Sequence, residues 1–298
     1  MRYNPNLGMS EKDFNLRRDI LKHEAQAIVS FLMQHSVGIL MPEKKQDNFI
    51  PQGSGTCIVI GEHFLVATAA HVLKDFEDDD LWIVHAMEPT DIRPPILGTD
   101  FQGGSEYDPI DVAWIEIDRQ TAIKTGKTFL KLDQLRAGVS HVGDDLVVLN
   151  GYPGVFTEEH GIKLVSAQSM SFIGGTILPS AWPPSTFDDL GCTPEDYFLL
   201  TSYPDEGNYL ISGEPYQVPD PHGMSGGGLW QVLANPVNAD GLWSTKLARL
   251  IGINLEWNPH DQWVSANQIQ YWLRLVAEDF PDVAAEIKQH LDVSNQSL

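Results

Sequence analysis

The sequence predicts an all-β protein with helices at its two ends. Two observations lead there. Through the middle of the chain the apolar residues come in short runs, alternating or continuous, and Gly, Pro, Asn and Asp punctuate them at turn spacing. Apolar residues at helical spacing are confined to the two ends. Strand and helix patterns do not alternate along the chain, which argues against a parallel α/β sheet.

The elements follow in order. Residues 11–34 place Leu21, Ala25, Ile28 and Leu32 on one helical face, with Ser10 available as a cap. This helix is expected on the outside of the domain. Residues 35–41 read as a first strand and 44–51 as a loop. The run 54–73 reads as two strands joined by a tight turn at Gly61-Glu62-His63, with His71 following the second. The run from Lys74 to Asp80 is acidic. It lacks the glycine and final glutamate of a calcium-binding loop and reads as a solvated loop. Residues 81–87 and 112–117 alternate as further strands, and 124–144 connect two halves. A strand at 146–149 leads to a turn at Pro153-Gly154. Strands are then expected at 162–172, 197–202, 229–233 and 248–255. Residues 179–195, rich in Pro and Asp and bearing Trp182, read as a surface excursion. Ile269, Trp272, Leu273 and Val276 make 265–280 a closing helix, and 281–291 add a shorter one. The organisation is thus a helical extension (1–35), a first β unit (36–130), and a second β unit with the C-terminal helices (131–298).

Composition narrows the function. With 298 residues the chain can bury a substantial core. Lys+Arg of 19 against Asp+Glu of 41 gives a net charge of -22. That excludes nucleic acid and anionic membrane as partners, because both demand positive charge, and favours neutral or basic ones. The only two cysteines, Cys57 and Cys192, read as free thiols of a reducing compartment. Neither a basic-then-apolar leader nor an apolar run of about 18 residues is present, so cytoplasmic residence is expected. His23, His63, His85, His141, His160, His260 and His290 show no metal-ligand spacing. No phosphate-cradling loop is seen, and no cofactor or metal is expected.

The chemistry gathers at Pro221-His222-Gly223-Met224-Ser225-Gly226-Gly227-Gly228, a serine among glycines ahead of an apolar run. Glycines permit a tight turn and let main-chain N–H groups converge, so the N–H groups of Gly223 and Ser225 form a candidate oxyanion hole. A glycine-rich turn into a strand explains the segment equally well. A serine nucleophile needs a base and the base an orienting group. His71 follows a strand and Asp111 opens one. Asp108 competes with Asp111 but precedes a proline and reads as a turn residue.

Thr68-Ala69-Ala70-His71, Asp111-Val112-Ala113 and Gly223-Met224-Ser225-Gly226-Gly227, in that order, resemble the T-A-A-H, D-[IV]-A and G-x-S-G-G segments of trypsin-like (chymotrypsin-fold) serine peptidases, particularly their compact bacterial members. Weaker matches extend the resemblance over residues 36–275. It implies two six-stranded antiparallel β-barrels and a serine endopeptidase acting through His71, Asp111 and Ser225 by way of an acyl-enzyme on a protein or peptide substrate. It also implies that Asn254, Leu255 and Glu256 pair with substrate backbone, and that Asp220 and His222 lie by the opposite wall of the specificity pocket. Met224 stands where animal relatives carry the aspartate that receives a cleaved N-terminus, so that activation does not follow. The serine segment also fits the G-x-S-x-G elbow of α/β-hydrolases, but there the acid and histidine follow the serine. Two further expectations accompany the peptidase reading: narrow specificity or control by a regulatory protein partner, and, as the alternative, a catalytically silent binding or scaffold protein on the same fold.

Overall fold

The computed structural model describes residues 11–42, 49–74, 81–84, 92–93, 96–97, 100–103, 109–139, 146–159, 165–167, 169–182, 197–208, 214–232 and 243–296. The acidic run at 75–80, Asp108, Cys192 and most of the 179–195 excursion lie outside these residues.

Helix α1 (Glu11–His35) leads into β1 (Ser36–Pro42), β2 (Phe49–Ile60), β3 (His63–Thr68) and a one-turn helix α2 (Ala70–Leu73). Then come β4 (Trp82–Val84), β5 (Ile92–Arg93), β6 (Ile96–Leu97), β7 (Asp100–Gly103), β8 (Ala113–Ile117) and α3 (Arg119–Thr125). The second half contains β9 (Leu146–Gly151), β10 (Thr157–Glu159), β11 (Val165–Ala167), β12 (Met170–Gly175), β13 (Phe198–Ser202), β14 (Glu206–Asn208) and β15 (Pro215–Gln217). It ends with β16 (Gly228–Gln231), β17 (Arg249–Asn258), β18 (Trp263–Gln268), α4 (Ile269–Asp279) and α5 (Ala284–Gln296).

The two large sheets have the orders β6-β4-β1-β2-β3-β8-β7 and β12-β9-β16-β17-β18-β13, two small ones are β10-β11-β5 and β14-β15, and strand neighbours are antiparallel throughout. A closed barrel continues its ladder around the ring and has no edges. Here the ladder stops. Among the described residues β6 and β7 are unpaired edges of the first sheet, and β12 meets β13 only at the Thr176–Thr201 bridge, beside which Ile177 N–H donates to Leu200 O at 2.7 Å. The two closed six-stranded barrels implied by the resemblance are therefore corrected to two open, curled half-barrels with flanking helices.

Helix α1 does more than cover the outside. Ile28, Phe31 and Leu32 share one core with Ile58 and Leu65 of the first sheet, Trp230 and Leu250 of the second, and Trp272 and Ile287 of the C-terminal helices. It seals the seam between the sheets. Its last turn is satisfied by buried groups: Lys127 Nζ donates to Met33 O at 2.8 Å, Thr128 N–H to Gln34 O at 2.9 Å and Ser36 Oγ to Leu32 O at 2.8 Å. A cation there complements the negative end of the helix dipole. Burial lowers the His35 pKa to about 4, leaving the ring neutral with its Nδ1–H on Thr128 O at 2.7 Å.

Two segments depart from the sequence reading. Residues 265–268, expected as the start of the closing helix, are β18, because they pair with both β13 and β17. Helix α3, lying mostly between the 112–117 strand and the 124–144 connection, was not expected from the sequence. Asp118 caps it by accepting from the N–H groups of Gln120 and Thr121, and Gly126 (φ 68°) ends it. Cys57 is free and buried, and desolvation raises its pKa to about 12.

Candidate functional site

His71 stands in α2, directly after extended Ala69 at the end of β3. Its N–H donates to Asp111 Oδ1 at 2.9 Å and its Nδ1 lies 2.6 Å from Asp111 Oδ2, so one carboxylate holds both backbone and ring. Asp111, immediately ahead of β8, is itself positioned by the other sheet: its N–H donates to Asn267 Oδ1 of β18 at 2.8 Å. Burial opposes the Asp111 charge, but the His71 hydrogen bond and charge and the N–H groups of His71 and Ala70 outweigh it and hold the carboxyl below its usual range. A carboxylate on Nδ1 fixes the tautomer and leaves Nε2 of the neutral ring as an acceptor.

Ser225 lies in a different arrangement. Met224 N–H donates to Pro221 O and Gly227 N–H to Met224 O, folding residues 221–227 into consecutive turns. Gly223 (φ 93°) and Gly226 (φ 84°) occupy the left-handed region that these turns require. The turns are pinned from both sheets. Ser54 N–H donates to Ser225 O at 2.8 Å and Ser54 Oγ to Gly223 O at 2.7 Å, while Gly226 N–H donates to Asn254 O at 2.7 Å and Asn254 N–H to Gly227 O at 2.8 Å.

The Ser225 hydroxyl donates to Leu255 O at 2.7 Å. Among the described residues no hydrogen bond joins it to His71. General-base activation requires the hydroxyl proton to point at the imidazole, and here it points at a main-chain carbonyl. The structure thus brings His71 and Asp111 together and leaves Ser225 in a separate contact with β17. The expected Ser-His-Asp triad, and with it the serine endopeptidase activity and the acyl-enzyme route, is corrected on this geometry. Gly223 and Ser225, expected to hold an oxyanion, belong to the same glycine-rich turn.

The remaining expected site residues surround this turn. Asp220 Oδ1 accepts from His222 N–H at 2.9 Å, forming a local turn, and the His222 side chain is 91% exposed. His222 O accepts from Gly154 N–H at 2.8 Å, tying this segment to the turn after β9. Leu255 is buried, and exposed Glu256 donates its N–H to Ser265 Oγ at 3.3 Å. Both sit at a register break between β17 and β18, beyond the last residues of β17 that pair with β16.

Sequence reasoning assigned no role to Ser54, Thr68 and Asn267. Ser54 Oγ also accepts from Tyr152 N–H at 2.7 Å, and Ser54 O accepts from Thr68 Oγ1 at 2.7 Å, so this one serine joins three segments beside the glycine-rich turn. Its only signal was its place between two glycines. Asn267 was concealed by the helical reading of 265–280. Among the described residues no group of three or more His, Cys, Asp or Glu side chains could hold a metal ion, and no helix is long and apolar enough to cross a membrane.

No protein-family model matches the chain, and no curated protein is similar to it. Together with the open sheets, this overturns the assignment to trypsin-like serine peptidases. A solved structure described as "Aromatic interactions drive the coupled folding and binding of the intrinsically disordered Sesbania mosaic virus VPg protein" is similar at 15% identity over 80% of this chain and 87% of that chain, with a TM-score of 0.43. At that score the likeness carries no argument about this chain.

Proposed function

We propose that this chain is a non-catalytic binding or scaffold protein whose surface beside Ser225 receives an extended segment of a partner protein. The observation that carries this reading is the Ser225 Oγ contact with Leu255 O, which commits the hydroxyl to a main-chain carbonyl of β17. Among the described residues β17 has no strand partner on its β16 side beyond Asn254, so residues 255–258 offer an edge to which an extended chain can add by main-chain hydrogen bonding. His71 Nε2 offers an acceptor for a partner N–H. Exposed Glu256 and Asp220, with the net charge of -22, favour a neutral or basic segment.

Incubation with a fluorophosphonate probe followed by intact-mass measurement tests the reading. The expected result is unmodified protein, because an unactivated serine hydroxyl reacts no faster than any other. A stoichiometric adduct on Ser225 would overturn it.

A further inference from the structure

His63 closes the β2–β3 turn on the side of the molecule where the C-terminal helices dock. Gly61 in that turn has φ 58°, and a Cβ there would lie 2.8 Å from Val283 Cγ1, so the turn packs directly on the link between α4 and α5. The His63 ring lies against Phe280, with centroids 4.4 Å apart, and Phe280 in turn packs edge-on against Trp114. Both ring nitrogens meet carboxylates: Nδ1 is 2.8 Å from Glu116 Oε1 on β8, and Nε2 is 3.0 Å from Asp282 Oδ2 on the α4–α5 link.

Only an imidazolium donates from both nitrogens. A neutral ring carries one N–H and one lone pair, and that lone pair would face a carboxylate oxygen. The carboxylates lie on opposite edges of the ring, an arrangement suited to bridging rather than to converging on an ion. We propose that His63 is a pH-responsive latch that, as an imidazolium, ties the first sheet to the α4–α5 link and so holds helix α5 in place.

The charged groups in contact with His63 are Glu116 from β8 and Asp282 from the link. Glu62 precedes it in the turn, and Asp279 at the end of α4 accepts from Trp114 Nε1 at 2.7 Å. Burial opposes the His63 charge, but the two carboxylates outweigh it and raise its pKa above 6.5. The His63 hydrogen bond holds Asp282 below 3.8. The signs follow. The stabilisation from His63 is complete below 6.5 and is lost as pH rises through the raised value, and that from Asp282 is present above 3.8 and is lost as pH falls through the lowered one. The latch is therefore fully closed between 3.8 and 6.5 and opens as pH rises through the raised His63 value.

Hydrogen exchange of the full chain at pH 6 and pH 9, corrected for intrinsic exchange, tests the latch. Protection of α5 is expected to fall about three- to fivefold at the higher pH, while α1 serves as the internal reference. His63→Gln should lack this pH-dependent fall. Should that variant not fold, Asp282→Asn, at a side chain that is 66% exposed, removes one arm of the latch and should flatten the same dependence. Equal α5 protection at both pH values in the unaltered chain, or an undiminished fall in the variants that fold, would overturn the proposal.

Discussion

Trp272→Ala is expected to lower the free energy of unfolding by about 4 kcal/mol, the range for truncating a fully buried tryptophan. The side chain is completely buried in the core shared by both sheets and helices α1, α4 and α5. Its Nε1 donates to Ala113 O at 2.9 Å, which fastens α4 to the start of β8, two residues from Asp111. Truncation would open a cavity at the seam and leave that carbonyl without its donor. Trp272→Phe retains much of the ring while deleting the donor and should cost less, about 2 kcal/mol. Urea denaturation gives both values. A loss below about 1 kcal/mol for the alanine variant would mean that α4 does not secure the seam.

Gly226→Ala is expected to cost about 3 kcal/mol or more and to disorder the glycine-rich turn. A Cβ at this position would lie 2.1 Å from Thr68 Oγ1 and 2.2 Å from Ser54 O, both far inside van der Waals contact, and the φ of 84° is strained for alanine. Ser54 is held to Ser225, Gly223, Tyr152 and Thr68, so displacing it would loosen these segments as a unit. Calorimetry should show the loss. A variant as stable as the unaltered chain would contradict the close approach of these segments.

Much of the fold was legible because burial and periodicity are local signals. The alternating and continuous runs at 54–60 and 112–117 are strands, and the helical spacing of Ile28 and Leu32 marks α1. Sheet closure was not legible, since it depends on whether edge strands meet, and Thr176 and Thr201 carry no mark that they form a single bridge. Residues 265–268 were misread because the helical spacing of Ile269, Trp272, Leu273 and Val276 was carried back over them. Pairing on both sides makes them a strand.

At the site, the motif resemblance paired His71 with Asp111, and Asp111 Oδ2 lies 2.6 Å from His71 Nδ1. It could not show where the Ser225 hydroxyl points. That direction depends on Leu255 O, a backbone atom that every residue type supplies and that no motif distinguishes. Motif segments specify turns and types of residue, whereas activation of a hydroxyl depends on one hydrogen bond between residues far apart in the chain.

The most direct test of a non-catalytic role is peptide-library cleavage measured side by side for the unaltered chain and Ser225→Ala, with products read by mass spectrometry. Both should give the same background level of cleavage. Products that form with the unaltered chain and vanish in Ser225→Ala would contradict a purely binding role.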